Sequence, residues 1–210
     1  MASYKVKEIY YTLQGEGART GRPAVFLRFT GCNLWSGREE DRADAVCQFC
    51  DTDFIGMDGI EGGKYDAASL ADKVMSLWPS GKGERYAVCT GGEPLLQLDE
   101  ALIGALHTRG FEVGIETNGT IPPPQGLDWI CVSPKANTEV IVQKGNELKL
   151  VVRQQGITPV TYESWDFQHF YLQPMDGPYL KEFTLWATEY CLEHPKWKLS
   201  LQTHKLLGIP

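Results

Sequence analysis

The chain has no apolar run approaching the ~20 residues that a helical membrane span requires, so a membrane protein is not expected. Its first residues, MASYKVKEIYYT, lack the apolar core of a secretory leader, and a cytoplasmic location is expected. In that setting its six cysteines are poor candidates for a disulfide framework. It has no long basic tract, and its formal net charge of -7 argues against nucleic acid as a partner. It shows no internal repeat and no linker. Residues 1–210 therefore read as one domain, long enough to bury a sizeable core, with an ordinary hydrophobic share of 42%. What is present is unevenly placed. Three of the cysteines fall in one stretch, GCNLWSGREEDRADAVCQFCDT (residues 31–52), as Cys32, Cys47 and Cys50.

Apolar and β-branched runs predict strands at 24–29 (AVFLRF), 86–89 (YAVC), 112–116 (EVGIE), 129–133 (WICVS), 147–152 (ELKLVV), 168–172 (QHFYL) and 197–202 (WKLSLQ). Three segments predict helices. In DAASLADKVMSLW, Asp66 is the expected N-cap, and Leu70, Val74, Leu77 and Trp78 form one face. PLLQLDEALIGALHTRG aligns Leu95, Leu98, Leu102 and Leu106, with Gly110 as the stop. PYLKEFTLWATEYCLEH places Leu180, Phe183, Ala187 and Cys191 on one side. Strands alternating with helices favour an α/β fold with a mainly parallel sheet, and the helices are too few for a full eightfold barrel.

The unusual motifs fall at strand ends. The cysteine stretch follows the first predicted strand, CTGGEP (residues 89–94) the second and ETNG (116–119) the third. SPK (133–135) follows the fourth and QPMD (173–176) the sixth. In a parallel sheet the carboxyl ends share one rim, where ligands bind. One such motif is a turn; five on one rim predict a site.

Cys47 and Cys50 alone fit half a zinc site or a redox pair. Structural zinc takes four protein ligands, and the loop offers three. Cys89, Cys131 and Cys191 stand apart in apolar runs and read as small buried core residues. Common iron–sulfur clusters take four cysteines, so a cubane held by three leaves one iron open.

Three cysteines after one strand and TGGEP after the next resemble the radical S-adenosylmethionine superfamily. Over almost the whole chain the closer resemblance is to the 7-carboxy-7-deazaguanine synthase family. It is carried by LQGEG (13–17), GRPAVFLRFTGCN (21–33), CDT (50–52), TGGEP, ETNG, SPK, QPM and the ending HKLLGIP. The chain departs from the superfamily by placing fourteen residues, where three are common, between Cys32 and Cys47; this family varies there. The resemblance implies a [4Fe-4S] cluster on Cys32, Cys47 and Cys50 whose open iron chelates S-adenosylmethionine. It implies a lyase that converts 6-carboxy-5,6,7,8-tetrahydropterin to 7-carboxy-7-deazaguanine with loss of ammonia, a step towards queuosine. The expected scaffold is an incomplete barrel of about six parallel strands, an open relative of the eight-stranded form.

The same resemblance distributes the remaining residues. Phe49, Gly91, Gly92, Glu93, Ser133, Pro134, Lys135, Gln173, Pro174, Met175 and Asp176 are expected around S-adenosylmethionine. Phe49 otherwise reads as a core aromatic and Lys135 as a solvated lysine. Leu13, Gln14, Gly15, Glu16, Arg28, Thr90, Glu116, Asn118, His204 and Pro210 are expected around substrate. Arg28 suits a carboxylate through two parallel bonds, with an ion pair to Glu16 or Glu116 as the rival reading. Thr52 matches a Mg2+ position, although a lone threonine is more often a cap or turn residue. The tail THKLLGIP reads either as a frayed end or as a wall whose terminal carboxylate meets the pterin N–H edge. Expected partners are an electron donor such as flavodoxin or ferredoxin and a second copy of the chain. Two rival functions remain: a radical-activating enzyme acting on a partner protein, and a non-catalytic zinc-stabilised binding module.

Overall fold

Strand alternation decides what faces the helices. In β2 (Pro23–Phe29), Val25, Leu27 and Phe29 are fully buried, while Phe26 and Arg28 between them point the other way. Ala87 and Cys89 on β4 (Arg85–Gly91) and Val113 and Ile115 on β5 (Phe111–Thr117) continue this apolar face. Two helices cover it. Leu70, Ala71 and Val74 of α1 (Ala67–Leu77) join Leu102, Ile103 and Leu106 of α2 (Glu100–Thr108) in one core. Burying each such leucine contributes roughly 1.5–3 kcal/mol. A second core lies under α3 (Leu180–Glu193), where Ala187 packs with Leu148, Leu150, Phe170, Leu172 and Trp197.

The structure is a computed structural model that describes residues 3–80 and 83–210. Its remaining strands are β1 (Tyr4–Leu13), β3 (Gly63–Tyr65), β6 (Trp129–Val132), β7 (Lys144–Val152), β8 (Asp166–Pro174) and β9 (Trp197–Leu199), followed by α4 (Thr203–Leu207). All nine strands form one sheet in the order β3-β1-β2-β4-β5-β6-β7-β8-β9. From β2 to β9 every pairing is parallel, and β1 joins β2 and β3 antiparallel. Among the described residues no helix is long and apolar enough to cross a membrane.

The sheet curls. β1 and β9 stand seven places apart in it, ~34 Å if it were flat. Yet Thr203, just past β9, donates its N–H to the Gly15 carbonyl just past β1, at 2.9 Å. Ser200 Oγ likewise accepts from Gly17 N at 2.9 Å. At the other end of the concave face, Arg19 pairs with Glu112 and stacks on Tyr86 and Trp129 at 4.6 and 4.0 Å.

Besides the short edge strand β3, four features depart from the sequence expectation. β1 has ten residues and was not predicted, because polar and apolar residues mix along YKVKEIYYTL. The predicted helix at 94–110 is two pieces: a 3-10 turn at Pro94–Leu96, then α2 capped by Asp99, whose side chain accepts from Leu102 N. The run 197–202 yields only the three residues of β9. The tail is not frayed; it forms α4, closed by Gly208 at φ 66°. Asp66 does cap α1, with Ser69 answering it.

Candidate active site

The segment between Cys32 and Cys47 leaves β2, folds through a 3-10 turn at Glu39–Asp44 and returns. The Leu34 carbonyl accepts from both Val46 N and Cys47 N, which sets Cys47 back beside the start of the excursion. Arg42 secures the return. Its Nη1 donates to the Gln48 and Cys50 carbonyls at 2.8 and 3.1 Å, and its guanidinium lies 4.1 Å from the Trp35 ring. The fourteen residues are therefore a folded strut, and the distance in sequence closes in space.

Cys32, Cys47 and Cys50 line one cavity at the carboxyl ends of the strands. Burial pushes the Cys32 and Cys47 thiols up from their ordinary values, a penalty that coordination to a metal reverses. Among the described residues no three acidic, cysteine or histidine side chains converge as ligands of a single ion. The three thiols share this cavity, and a structural zinc site or an ordinary iron–sulfur cluster takes four such ligands. Gly91 (φ 146°) and Gly92 hold the floor. A Cβ on Gly92 would lie 2.3 Å from the Gly31 carbonyl oxygen and 2.6 Å from Cys32 Cβ. The glycine pair thus permits contact between β4 and the cysteine loop.

The same cavity is lined by Phe49, Gly91, Gly92, Ser133, Lys135, Gln173, Pro174, Met175 and Asp176. Lys135 Nζ donates to Ser133 O and Oγ at 2.8 and 2.7 Å and lies 6.0 Å from the Phe49 ring centre. Burial lowers its pKa, with Cys47 opposing that shift. Two residues expected here face elsewhere. The Glu93 carboxylate is fully buried and accepts from Leu95 N, Thr117 Oγ1 and Asn118 N at 2.8–3.0 Å, tying β4 to β5. Burial raises its pKa and those bonds oppose the rise. Pro134 is buried, and its carbonyl accepts from Gln154 Nε2.

A second cavity adjoins the first. It is lined by Leu13, Gln14, Gly15, Glu16, Arg28, Thr90, Glu116, His204 and Pro210. Asn118, expected with them, lines the first cavity and donates to Asn33 Oδ1 at 2.9 Å. Arg28 pairs with neither Glu16 nor Glu116. Its Nε meets Glu8 Oε1 and its Nη2 the Tyr10 hydroxyl, both at 2.8 Å, because β1 lies antiparallel beside β2. Burial lowers the His204 pKa against the attraction of Glu16, favouring the neutral ring. The Pro210 carbonyl accepts from Thr12 Oγ1 at 3.0 Å. Thr52, Thr90, Glu16, Glu116, Asp51 and Gln202 line both cavities.

Sequence reading missed the centre of this junction. Lys149 on β7 is 2% exposed and contacts Glu16 and Glu116. Burial opposes its charge, but Cys131, Glu116, Glu16 and Glu147 around it raise its pKa well above the ordinary lysine value. Burial also works against the Glu16 carboxylate, but Lys149 holds it down at about 2. Cys89 and Cys131 are both buried as expected, and Cys131 faces these charges on the concave side.

No family model matches the chain. It is 61% identical over 209 residues to a 7-carboxy-7-deazaguanine synthase of Bordetella pertussis, covering 99% of this chain and 100% of the relative. It is 62% identical over 208 residues to the enzyme of that name from Bradyrhizobium diazoefficiens, covering 99% of each. Its fold is similar to the crystal structure of QueE from Escherichia coli, with TM-score 0.68 and 26% identity, covering 95% of this chain and 93% of the other.

Proposed function

The chain belongs to the 7-carboxy-7-deazaguanine synthase family of radical S-adenosylmethionine lyases, and from that premise we propose how its two cavities divide the work. The observation that carries the reading is the junction. A cavity lined by three cysteines opens beside one lined by Arg28, His204 and Pro210, and Glu16, Thr90 and Glu116 belong to both. The first cavity holds a [4Fe-4S] cluster on Cys32, Cys47 and Cys50, together with S-adenosylmethionine. When bound, these supply a radical that takes hydrogen from the substrate. Phe49, Ser133, Lys135 and the run Gln173–Asp176 orient the nucleoside end, and Gly91 and Gly92 keep the floor thin. Glu93 and Pro134 support this wall from behind.

The second cavity holds 6-carboxy-5,6,7,8-tetrahydropterin, which the enzyme converts to 7-carboxy-7-deazaguanine with loss of ammonia. Arg28 receives the carboxylate with the donors that Glu8 and Tyr10 leave free. Leu13, Gln14, Gly15 and Thr90 wall the ring, and Pro210 and His204 close its far edge. Thr52 is assigned to Mg2+; among the described residues no hydrogen bond engages its hydroxyl, and it faces both cavities. Magnesium there would orient the carboxylate and stabilise developing charge. Residues 1–210 are read as one domain on an incomplete barrel. The single curled sheet supports this, with seven of its strands, β2 and β4–β9, parallel. Leu185 and Leu192, 58% and 78% exposed on one face of α3, support a homodimer. The six free cysteines fit a reducing, cytoplasmic setting, with a flavodoxin or ferredoxin as electron donor.

Anaerobic purification tests the reading. The reconstituted protein should carry about four irons, cleave S-adenosylmethionine and convert the pterin in a Mg2+-dependent way that Thr52→Ala weakens. Cys32→Ala, Cys47→Ala and Cys50→Ala should each lose the iron, and Cys89→Ala and Cys191→Ala should keep it. Normal iron in Cys32→Ala, or no turnover of the pterin by wild type, would defeat it.

A further inference from the structure

Lys149 stands at the junction without a part in the scheme above. Its Nζ lies 2.6 Å from Glu16 Oε2 and 2.7 Å from Glu116 Oε2. The other oxygen of each carboxylate is held by an amide. Gln202 Nε2 donates to Glu16 Oε1 at 3.0 Å, and Gln14 Nε2 to Glu116 Oε1 at 3.1 Å. Two carboxylates drawn together in a cavity wall repel each other, and a buried ammonium without anions is costly. The three groups therefore exist as a unit, with one negative charge left over for a ligand.

The substrate carbon that loses hydrogen must lie where the first cavity opens into the second. In a tetrahydropterin with its carboxylate at C6, the ring heteroatom bonded to that carbon is N5. N5 carries a hydrogen in the reduced ring and only a lone pair in the oxidised one. An ionised carboxylate accepts and never donates, so it pairs with the first and repels the second. We propose that Lys149 is a specificity-determining positioning residue: by holding Glu16 and Glu116 side by side at the junction, it makes the site select the reduced, N–H-bearing pterin over the oxidised ring. This rests on the lyase reading above.

The test is equilibrium binding, under anaerobic conditions, of 6-carboxytetrahydropterin and of oxidised 6-carboxypterin to the reconstituted full chain. Wild type should prefer the reduced ring at least about tenfold, since the oxidised one leaves buried acceptors unpaired. Lys149→Met should bring the ratio close to one with iron content and S-adenosylmethionine affinity retained, and Lys149→Arg should restore most of the preference. An unchanged ratio in Lys149→Met overturns the proposal. So does an equal loss of affinity for both rings and S-adenosylmethionine, which marks a general structural role. If Lys149→Met does not fold, Lys149→Gln keeps both carboxylates and a neutral donor between them, and an unchanged ratio there overturns the proposal likewise. Wild type binding both rings equally overturns the proposal alone; wild type binding neither overturns the lyase reading with it.

Discussion

Glu147 is 3% exposed on the concave side of β7, where its Oε2 accepts from Ala18 N at 3.1 Å. Burial pushes its carboxyl from 4.5 up to about 7, and Lys149 only partly offsets that. A raised carboxyl favours the folded state fully below its unfolded value, and the contribution is lost as pH rises through the folded value. Urea unfolding across the window from 4.5 to about 7 should therefore show this group's contribution falling with pH, by roughly 3 kcal/mol. Glu147→Gln should flatten that slope, and an unchanged slope in the variant would assign it to another group. Glu147 and Lys149 show why the junction was hard to read. In ELKLVV the two charges alternate with leucines, the pattern of a half-exposed strand. Only the curl of the sheet turns the polar side inward. Cys32, Cys47 and Cys50 were legible because their chemistry survives without knowledge of that curl.

Among the elements, α2 offers the clearest experiment. Asp99 caps it, accepting from Leu102 N at 3.0 Å, and also receives the Tyr4 hydroxyl at 2.5 Å. Asp99→Ala should cost about 1 kcal/mol for the cap, and more for the tyrosine left unpaired, read as a lower denaturation midpoint. A midpoint within error of wild type would mean the helix is held by packing alone. The strands β2 and β4–β8 and the helix α1 were legible because each buries an apolar face of regular period; α3 follows its predicted span but fully buries only Ala187 and leaves Leu180 exposed. β1 was not, since it sits near the sheet edge and takes both polar and apolar neighbours. The split at 94–110 was hidden by a leucine period that runs unbroken across the 3-10 turn and the cap.

At the scale of the whole molecule, residues 202–210 close what the sheet leaves open. Lys205 ties α4 to Asp51 and Asp176 at 2.5 and 2.6 Å, and Pro210 reaches the wall of the second cavity. One glycine added after Pro210 would enter that cavity. It should raise KM for the pterin about tenfold or more, while iron content and uncoupled cleavage of S-adenosylmethionine stay the same. A wild-type KM in the extended chain would remove the tail from the substrate wall. The motif at each strand end marked the rim in advance, but which motifs share a cavity depended on a curvature that no local pattern encodes.

The bond from Thr203 to Gly15 also sets an order of events during synthesis. Chains emerge and fold from the amino end, at roughly 5–20 residues per second. β1, β2, β4 and β5 with α1 and α2 already possess a core of their own. The second cavity is not complete until residues 202–210 have been made and meet a loop translated almost two hundred codons earlier. A nascent chain can therefore be folded over half its length and still be unable to capture a pterin.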